Sequence, residues 1–397
     1  MRRFSRHHKL CRAIVILVLC TLAAQSLNNA SAFDSDKIES LLQKWSVPGG
    51  AVAVVKDGKV VFARGYGFCD AEHPHPVDPN RTIFRIASIS KVVTAAAILA
   101  LVRDGKLGLE DKVFALLKEY EPSDPRAQQI TIRQLLDMTA GWDKQRSGDP
   151  ILQPFIRRAA RKMNVEAPAD FDVTVRYVLR RKLDFAPGSR FAYSNFEYGL
   201  LGKVIEKVSE KPYANFVRDV VIEPAGVTLS EAHTREADRL PEEVSYYAPK
   251  ERSRRSLFAG DRSCVPAPYA RAFLEQDLPM IGWAGSASQV ALLVDYILGN
   301  ASTRETICAG GAKQFSMGWE LKHPSTGACE FFKDGTLPGT RAFAMRTADG
   351  TTWVALFNGR PTQKVPDPFA REVRQIMSTV SSCPESTIKT STRQTLP

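Results

Sequence analysis

Residues 88–102 read SISKVVTAAAILALV. After Lys91 only Thr94 is polar, so a helix over this stretch is apolar nearly all round and belongs inside a core. Arg103-Asp104-Gly105 closes it, with a cation in the last turn and a glycine for the left-handed exit. What precedes this helix is strand-like. Residues 50–55 and 59–65 are joined by Lys56-Asp57-Gly58, and Asp-Gly between two apolar runs is a strong hairpin signal. Ahead of them, residues 34–45 have the spacing of a short amphipathic helix.

Downstream, the pattern from Leu107 to Pro266 turns helical and loop-rich, with helices expected at 131–139, 172–183, 195–208 and 213–221. Strand patterns return at 315–321, 328–332, 341–347 and 352–357, with Asp349-Gly350 as a hairpin turn between the last two. A final helix is expected at 368–380, followed by a Ser/Thr-rich tail, 381–397, that reads as disordered. Strands at both chain ends and helices between them imply an α/β chain of the α+β type. Its antiparallel sheet is flanked by helices and interrupted by a mostly helical insertion. The expected division is 33–107 plus 267–380 for the sheet-and-helix domain and 108–266 for the helical one. No internal repeat is present.

The chain has 397 residues, 44% hydrophobic and 24% charged, with 25 Gly and 24 Pro, which excludes collagen-like, coiled-coil and disordered classes. The formal charge of +11 includes five cations and no acid within residues 1–32, so the remainder carries +6. That excess is dispersed. The runs Arg157-Arg158, Arg161-Lys162, Arg180-Arg181-Lys182 and Arg252 with Arg254-Arg255 have acids nearby and no interleaved aromatics, and read as solvated faces rather than a nucleic-acid surface.

Met1–Arg12 is basic, Ala13–Ala24 is apolar, and Ala30-Ser31-Ala32 offers small residues at cleavage positions. That order is a secretory signal peptide over residues 1–32, so a secreted or periplasmic protein is expected. No other segment reaches the ~18 apolar residues of a membrane span. Of seven cysteines, Cys69, Cys264, Cys308, Cys329 and Cys383 remain after the signal. They form no C-x-x-C pair and the histidines have no ligand-like spacing, so no metal or cofactor is expected. Export permits disulfides, but their connectivity is not readable from spacing.

Three short motifs carry chemistry. In Ser88-Ile89-Ser90-Lys91 the first and last residues share a helical face. A serine needs a neighbouring base to become a nucleophile, and a lysine at the head of an apolar helix is costly to keep charged. Backbone N–H groups at the helix start also suit a developing oxyanion. In Tyr193-Ser194-Asn195, a tyrosine beside a lysine loses its proton more easily, and Asn195 can donate to a substrate carbonyl. In Lys333-Asp334-Gly335, followed by Thr336, a cation and a glycine at a strand end can hold a carboxylate and let the backbone approach the reacting carbonyl. Each also has a bland alternative: Ser88 as a helix cap with Lys91 on the surface, Tyr193 as a core aromatic with Ser194 or Asn195 as a cap, and the last as a plain turn.

In this order and these contexts the motifs resemble those of the serine β-lactamase and penicillin-binding-protein superfamily, in its class C β-lactamase-like branch. Residues 86–107, 131–141 (TIRQLLDMTAG), 187–202 (PGSRFAYSNFEYGLLG), 282–287 and 332–339 are all similar to stretches of that family. The resemblance covers roughly residues 34–380. It implies that Ser88 is the acylated nucleophile and that Lys91 and Tyr193 share proton transfer. Asn195, Lys333, Gly335 and Thr336 would then bind substrate, with the N–H groups of Ser88 and Thr336 as the oxyanion hole. The substrate would be a small ester, amide or peptide, D-amino-acid amides included, with cell-wall material as a further possibility. A β-lactamase, a D,D-carboxypeptidase and a catalytically inactive binding protein are the alternatives. Two positions depart from the family: Asp334 stands where the β-lactamases have a hydroxyl residue, and Met138 where a histidine is common. An acid beside Lys333 would repel a substrate carboxylate, so uncharged esters or amides are expected to be preferred over β-lactams.

Overall fold

The computed structural model describes residues 35–232, 235–251, 253–256, 263–270, 277–309, 314–322 and 329–378. The signal segment 1–32, the tail 381–397 and Cys383 lie outside the described residues. The chain divides into two compact units. Among the described residues, one combines the terminal segments 35–44 and 365–378, and the other is Trp45–Lys364. In the terminal unit the helices Ser35–Trp45 and Pro368–Ser378 are joined by Lys44 Nζ to Glu372 Oε1, 2.9 Å apart. At that exposure the pair adds little.

The unit 45–364 holds both the sheet and the helical middle. Its first strands, β1 (Gly49–Lys56) and β2 (Lys59–Gly67), form the expected hairpin. Asp57 and Gly58 both have positive φ, +49° and +72°, the conformation of a two-residue hairpin turn that twists with its strands. β3 (Phe84–Arg85) then leads through a 3₁₀ turn, Ala87–Ile89, into the buried helix α1 (Ser90–Arg103). Gly105 ends that helix at φ +68°. The middle of the chain supplies α2 (Ile132–Leu136), α3 (Lys144–Ser147), α4 (Phe171–Leu179) and α5 (Asn195–Ser209). Thr131 and Gln134 close a capping box at the start of α2, satisfying two orphan N–H groups. The final stretch runs β4 (Ser230–Glu231), β5 (Trp283–Gly285), α6 (Ala287–Gly299), α7 (Ala301–Cys308), β6 (Phe315–Ser316), β7 (Trp319–Lys322), β8 (Glu330–Leu337), β9 (Thr340–Arg346) and β10 (Thr352–Phe357).

The strands assemble as one seven-stranded sheet in the order β2-β1-β10-β9-β8-β7-β6, antiparallel throughout. Both chain ends therefore contribute to a single antiparallel sheet. β1 and β10 are interior strands, and their sequences GGAVAVVK and TWVALF are buried nearly end to end rather than alternating, as strands covered on both faces are.

Two findings were not expected. A small sheet, β3-β5-β4, is too short to show a period in sequence. It receives the chain just before the buried helix: Ile86 N–H donates to Trp283 O at 3.0 Å, and Trp283 N–H to Ser90 Oγ at 3.1 Å. Strand β8 also runs on to Leu337, five residues past its expected end, so Lys333-Asp334-Gly335 lies within a strand and not after one.

Helix α6 is pinned to the sheet through a buried carboxylate. Asp295 accepts from Arg346 Nη1, from Thr352 Oγ1 at 2.8 Å and from Gly58 N–H at 3.1 Å, joining α6 to β9, β10 and the first hairpin turn. Removing one partner of a buried pair leaves the other charge uncompensated. Asp295→Ala is expected to cost about 3 kcal/mol, read as a lower urea midpoint at unchanged slope. A loss under about 1 kcal/mol would show that solvent takes over the pairing.

Candidate active site

Ser88 sits in the 3₁₀ turn and not in the α-helix proper, which begins two residues later. Ala87 immediately before it holds φ +48°, a left-handed conformation that costs a non-glycine residue of order 1 kcal/mol and turns the chain sharply. The turn still keeps Ser88 one helical step from Lys91, whose Nζ donates to Ser88 Oγ at 3.2 Å. Lys91 is fully buried and also donates to Asn195 Oδ1 at 2.7 Å and to Met280 O at 2.8 Å. These three acceptors can take up the hydrogens of an ammonium, so a charge on Lys91 would be solvated by protein and not left bare.

Tyr193 Oη lies 2.8 Å from Ser88 Oγ. With Lys91 donating to Oγ, the serine hydrogen is available to the phenol oxygen. Burial pushes the Tyr193 phenol well above its ordinary pKa. The hydrogen bond to Ser88 acts the other way, and the charges of Asp334, Asp149 and Glu320 add to the rise. This corrects the expectation of an easily ionised tyrosine: desolvation outweighs the hydrogen bond to Ser88, and the resting side chain is a neutral phenol.

Asn195 is the first residue of α5. Ser194, not Asn195, caps the helix, accepting from Glu197 N–H. The amide is thereby freed for the site, where its orientation is settled by chemistry. Its oxygen meets the Lys91 ammonium, and its Nδ2 donates to Asp149 Oδ2 at 2.8 Å. One of the two N–H groups expected to reach a substrate carbonyl is therefore committed to Asp149.

Lys333 on β8 is buried, with Nζ 5.3 Å from the Tyr193 ring centroid and 5.3 Å from that of Phe315. Desolvation brings its pKa down to about 8, with Asp334 and Glu320 opposing the fall and Lys144 assisting it. Gly335 has a steric reason. A Cβ there would lie 2.6 Å from Ile86 O and 3.1 Å from Ser88 N, so only glycine lets β8 pass against the Ser88 turn. Thr336 is exposed on the same strand. The two-residue turn Pro338-Gly339 closes on the pair Leu337–Thr340, and ladder alternation then turns the Thr336 N–H away from β9.

Asp334 lies on the opposite face of β8 from Lys333 and pairs with the buried Arg341, Nη1 to Oδ2 3.3 Å. The guanidinium offsets its charge. The repulsion of substrate carboxylates expected from this acid is therefore not supported, although the missing hydroxyl remains.

Two residues of the site carried no sequence signal. Asp149 stands in an irregular segment, and its carboxylate is found only through the fold. Lys144 on α3 places Nζ 4.5 Å from the Tyr193 ring centroid, so three lysines, Lys91 included at 5.3 Å, surround one phenol.

A buried serine hydroxyl, within hydrogen-bond reach of a tyrosine and a lysine beside the start of an apolar helix, is an arrangement that can support nucleophilic acyl transfer. A family profile described as "Beta-lactamase" matches residues 35–375, and the chain belongs to that family, one of serine hydrolases. "Protein flp" of Staphylococcus aureus is 33% identical over 204 residues, which are 51% of this chain and 38% of that protein. The chain thus matches about two fifths of that relative's length. Among solved structures, D-alanine carboxypeptidase AmpC from Burkholderia cenocepacia superposes with a TM-score of 0.65 at 18% identity, covering 90% of this chain and 99% of that one. D-amino acid amidase from Ochrobactrum anthropi gives 0.64 at 18%, covering 87% and 98%. At such identities the likeness is one of fold.

Two outcomes follow from this geometry. Lys333 with a lowered pKa is charged below pH 8 and neutral above it. Binding of a carboxylate ligand such as N-acetyl-D-alanine should be flat below about pH 8 and weaken about tenfold per unit above it. Lys333→Arg should remove the break; a break that survives assigns the titration to another group. Asp149→Ala should slow acylation of Ser88 by about tenfold or more, since a hydrogen bond to a charged group is worth about 1.5–3 kcal/mol, while Asp149→Asn retains part of the rate. Equal rates in all three proteins would show that Asn195 needs no anchor.

Proposed function

We propose that this protein is an exported serine hydrolase that works through an acyl-enzyme on Ser88, and that its substrates are amides or short peptides of D-amino acids. The observation that carries the chemistry is Ser88 Oγ within hydrogen-bond reach of both Tyr193 Oη and Lys91 Nζ. The active form is the Tyr193–Lys91 pair short of one proton, a property of the coupled pair rather than of either residue. Ser88 Oγ attacks the carbonyl carbon and its proton fills that vacancy. The N–H groups of Ser88 and Thr336 receive the developing oxyanion. The pair then returns the proton to the leaving amine, and water repeats the cycle on the ester. Asn195 anchors Lys91, and Lys333 with Lys144 offers positive charge to an acidic group of the substrate.

Support for D-amino-acid substrates comes from the fold neighbours named for D-alanine carboxypeptidase and D-amino acid amidase activities. Esters share the same first step and are the natural assay substrates. The pairing of Asp334 with Arg341 favours a second reading, a β-lactamase, more than the sequence did, because a carboxylate-bearing substrate meets no bare acid at β8. Export rests on the basic, apolar and small-residue order of residues 1–32. N-terminal sequencing of the protein from cells should begin at Phe33.

Intact mass after a fluorophosphonate or penicillin probe should show one adduct, mapped to Ser88 and absent in Ser88→Ala. Lys91→Ala and Tyr193→Phe should each lower kcat by several orders of magnitude, non-additively. On a panel of D- and L-alanyl p-nitroanilides, p-nitrophenyl butyrate and nitrocefin, the D-anilide should exceed its L counterpart. Efficient nitrocefin turnover with an idle D-anilide would replace the reading by β-lactamase, and no adduct at Ser88 would end the hydrolase mechanism.

A further inference from the structure

The fold brings together two of the five cysteines whose pairing the sequence left open. Cys308 is the last residue of α7 and Cys329 immediately precedes β8, and the Cys308 thiol is hydrogen-bonded to Cys329. Both are half-buried and pack against the same apolar core. The other described cysteines are elsewhere. Cys69 Sγ lies 3.6 Å from Pro76 O and 3.5 Å from Thr82 Oγ1, and Cys264 is exposed.

We propose that Cys308 and Cys329 are a disulfide-forming pair, closed by thiol–disulfide exchange with a low-molecular-weight or protein disulfide. The exchange balances without another reactant: the two cysteines lose two protons and two electrons, one S–S bond forms, and the oxidant's S–S bond breaks to leave two thiols. Burial, and next the hydrogen bond to Cys329, push the Cys308 thiol up to about 12. One of the two thiolates attacks the oxidant's disulfide, and the other resolves the mixed disulfide.

The bond would close a loop of about twenty residues holding β6 and β7. Phe315 of that loop flanks Lys333, and Cys329 stands four residues before Lys333 on the same run of chain. The cross-link therefore braces the approach to the third motif from outside the site.

The test starts from reduced wild-type protein, held native in oxidised glutathione, alkylated with iodoacetamide and mapped without reduction. Expected are a Cys308–Cys329 linked peptide and a melting temperature raised by roughly 3 °C or more. Dithiothreitol should reverse the rise, and Cys308→Ser should lack it. Recovery of both cysteines alkylated or each carrying glutathione, or linkage of either to Cys69 or Cys264, would overturn the proposal. So would a rise that persists in Cys308→Ser.

Discussion

A charged amine buried among apolar side chains costs several kcal/mol unless protein groups replace its water. Lys91 meets that demand with Ser88 Oγ, Asn195 Oδ1 and Met280 O, which come from the Ser88 turn, the start of α5 and the segment before β5. Three stretches far apart in sequence must therefore converge for one side chain to be tolerated. The convergence is also the site. Asn195 is held by Asp149, and Ser88 is left between its two hydrogen-bonding neighbours.

The backbone around Ser88 is arranged ahead of any substrate. Ala87 is held left-handed, and β8 presses so closely on the turn that Gly335 has no room for a Cβ. Strain of this kind persists only where surroundings over-determine it. Here the small sheet β3-β5-β4 holds the chain entering the turn, and α1 takes it away. The result is a serine whose position does not depend on side-chain rotamers alone.

The large sheet was legible because its signals are local. Asp57-Gly58 and Asp349-Gly350 mark their hairpins, and residues 352–357 read as a strand with the observed bounds. Ser88, Lys91 and Tyr193 were readable because their motifs fix the spacing, and the structure brings all three into contact. What escaped depends on distant contacts. Strand β8 outruns its sequence pattern because its length is set by pairing with β9 across residues 333–337, where the sequence shows only a turn-like Asp-Gly. The placement of Asp334 follows from Arg341, seven residues on. Asp149 and Lys144 have no periodicity around them, and the tyrosine's protonation is a balance of burial against charge that spacing does not encode.

The pairing of β1 with β10 sets Gly50 opposite Phe357. During synthesis the first hairpin leaves the ribosome with one edge of GGAVAVVK unpaired, and its other neighbour is made about three hundred residues later. An apolar strand with an open edge is an invitation to wrong partners for as long as it waits. The order of the chain thus sets a folding gate at Thr352–Phe357: no nascent fragment ending before Thr352 can complete the seven-stranded sheet.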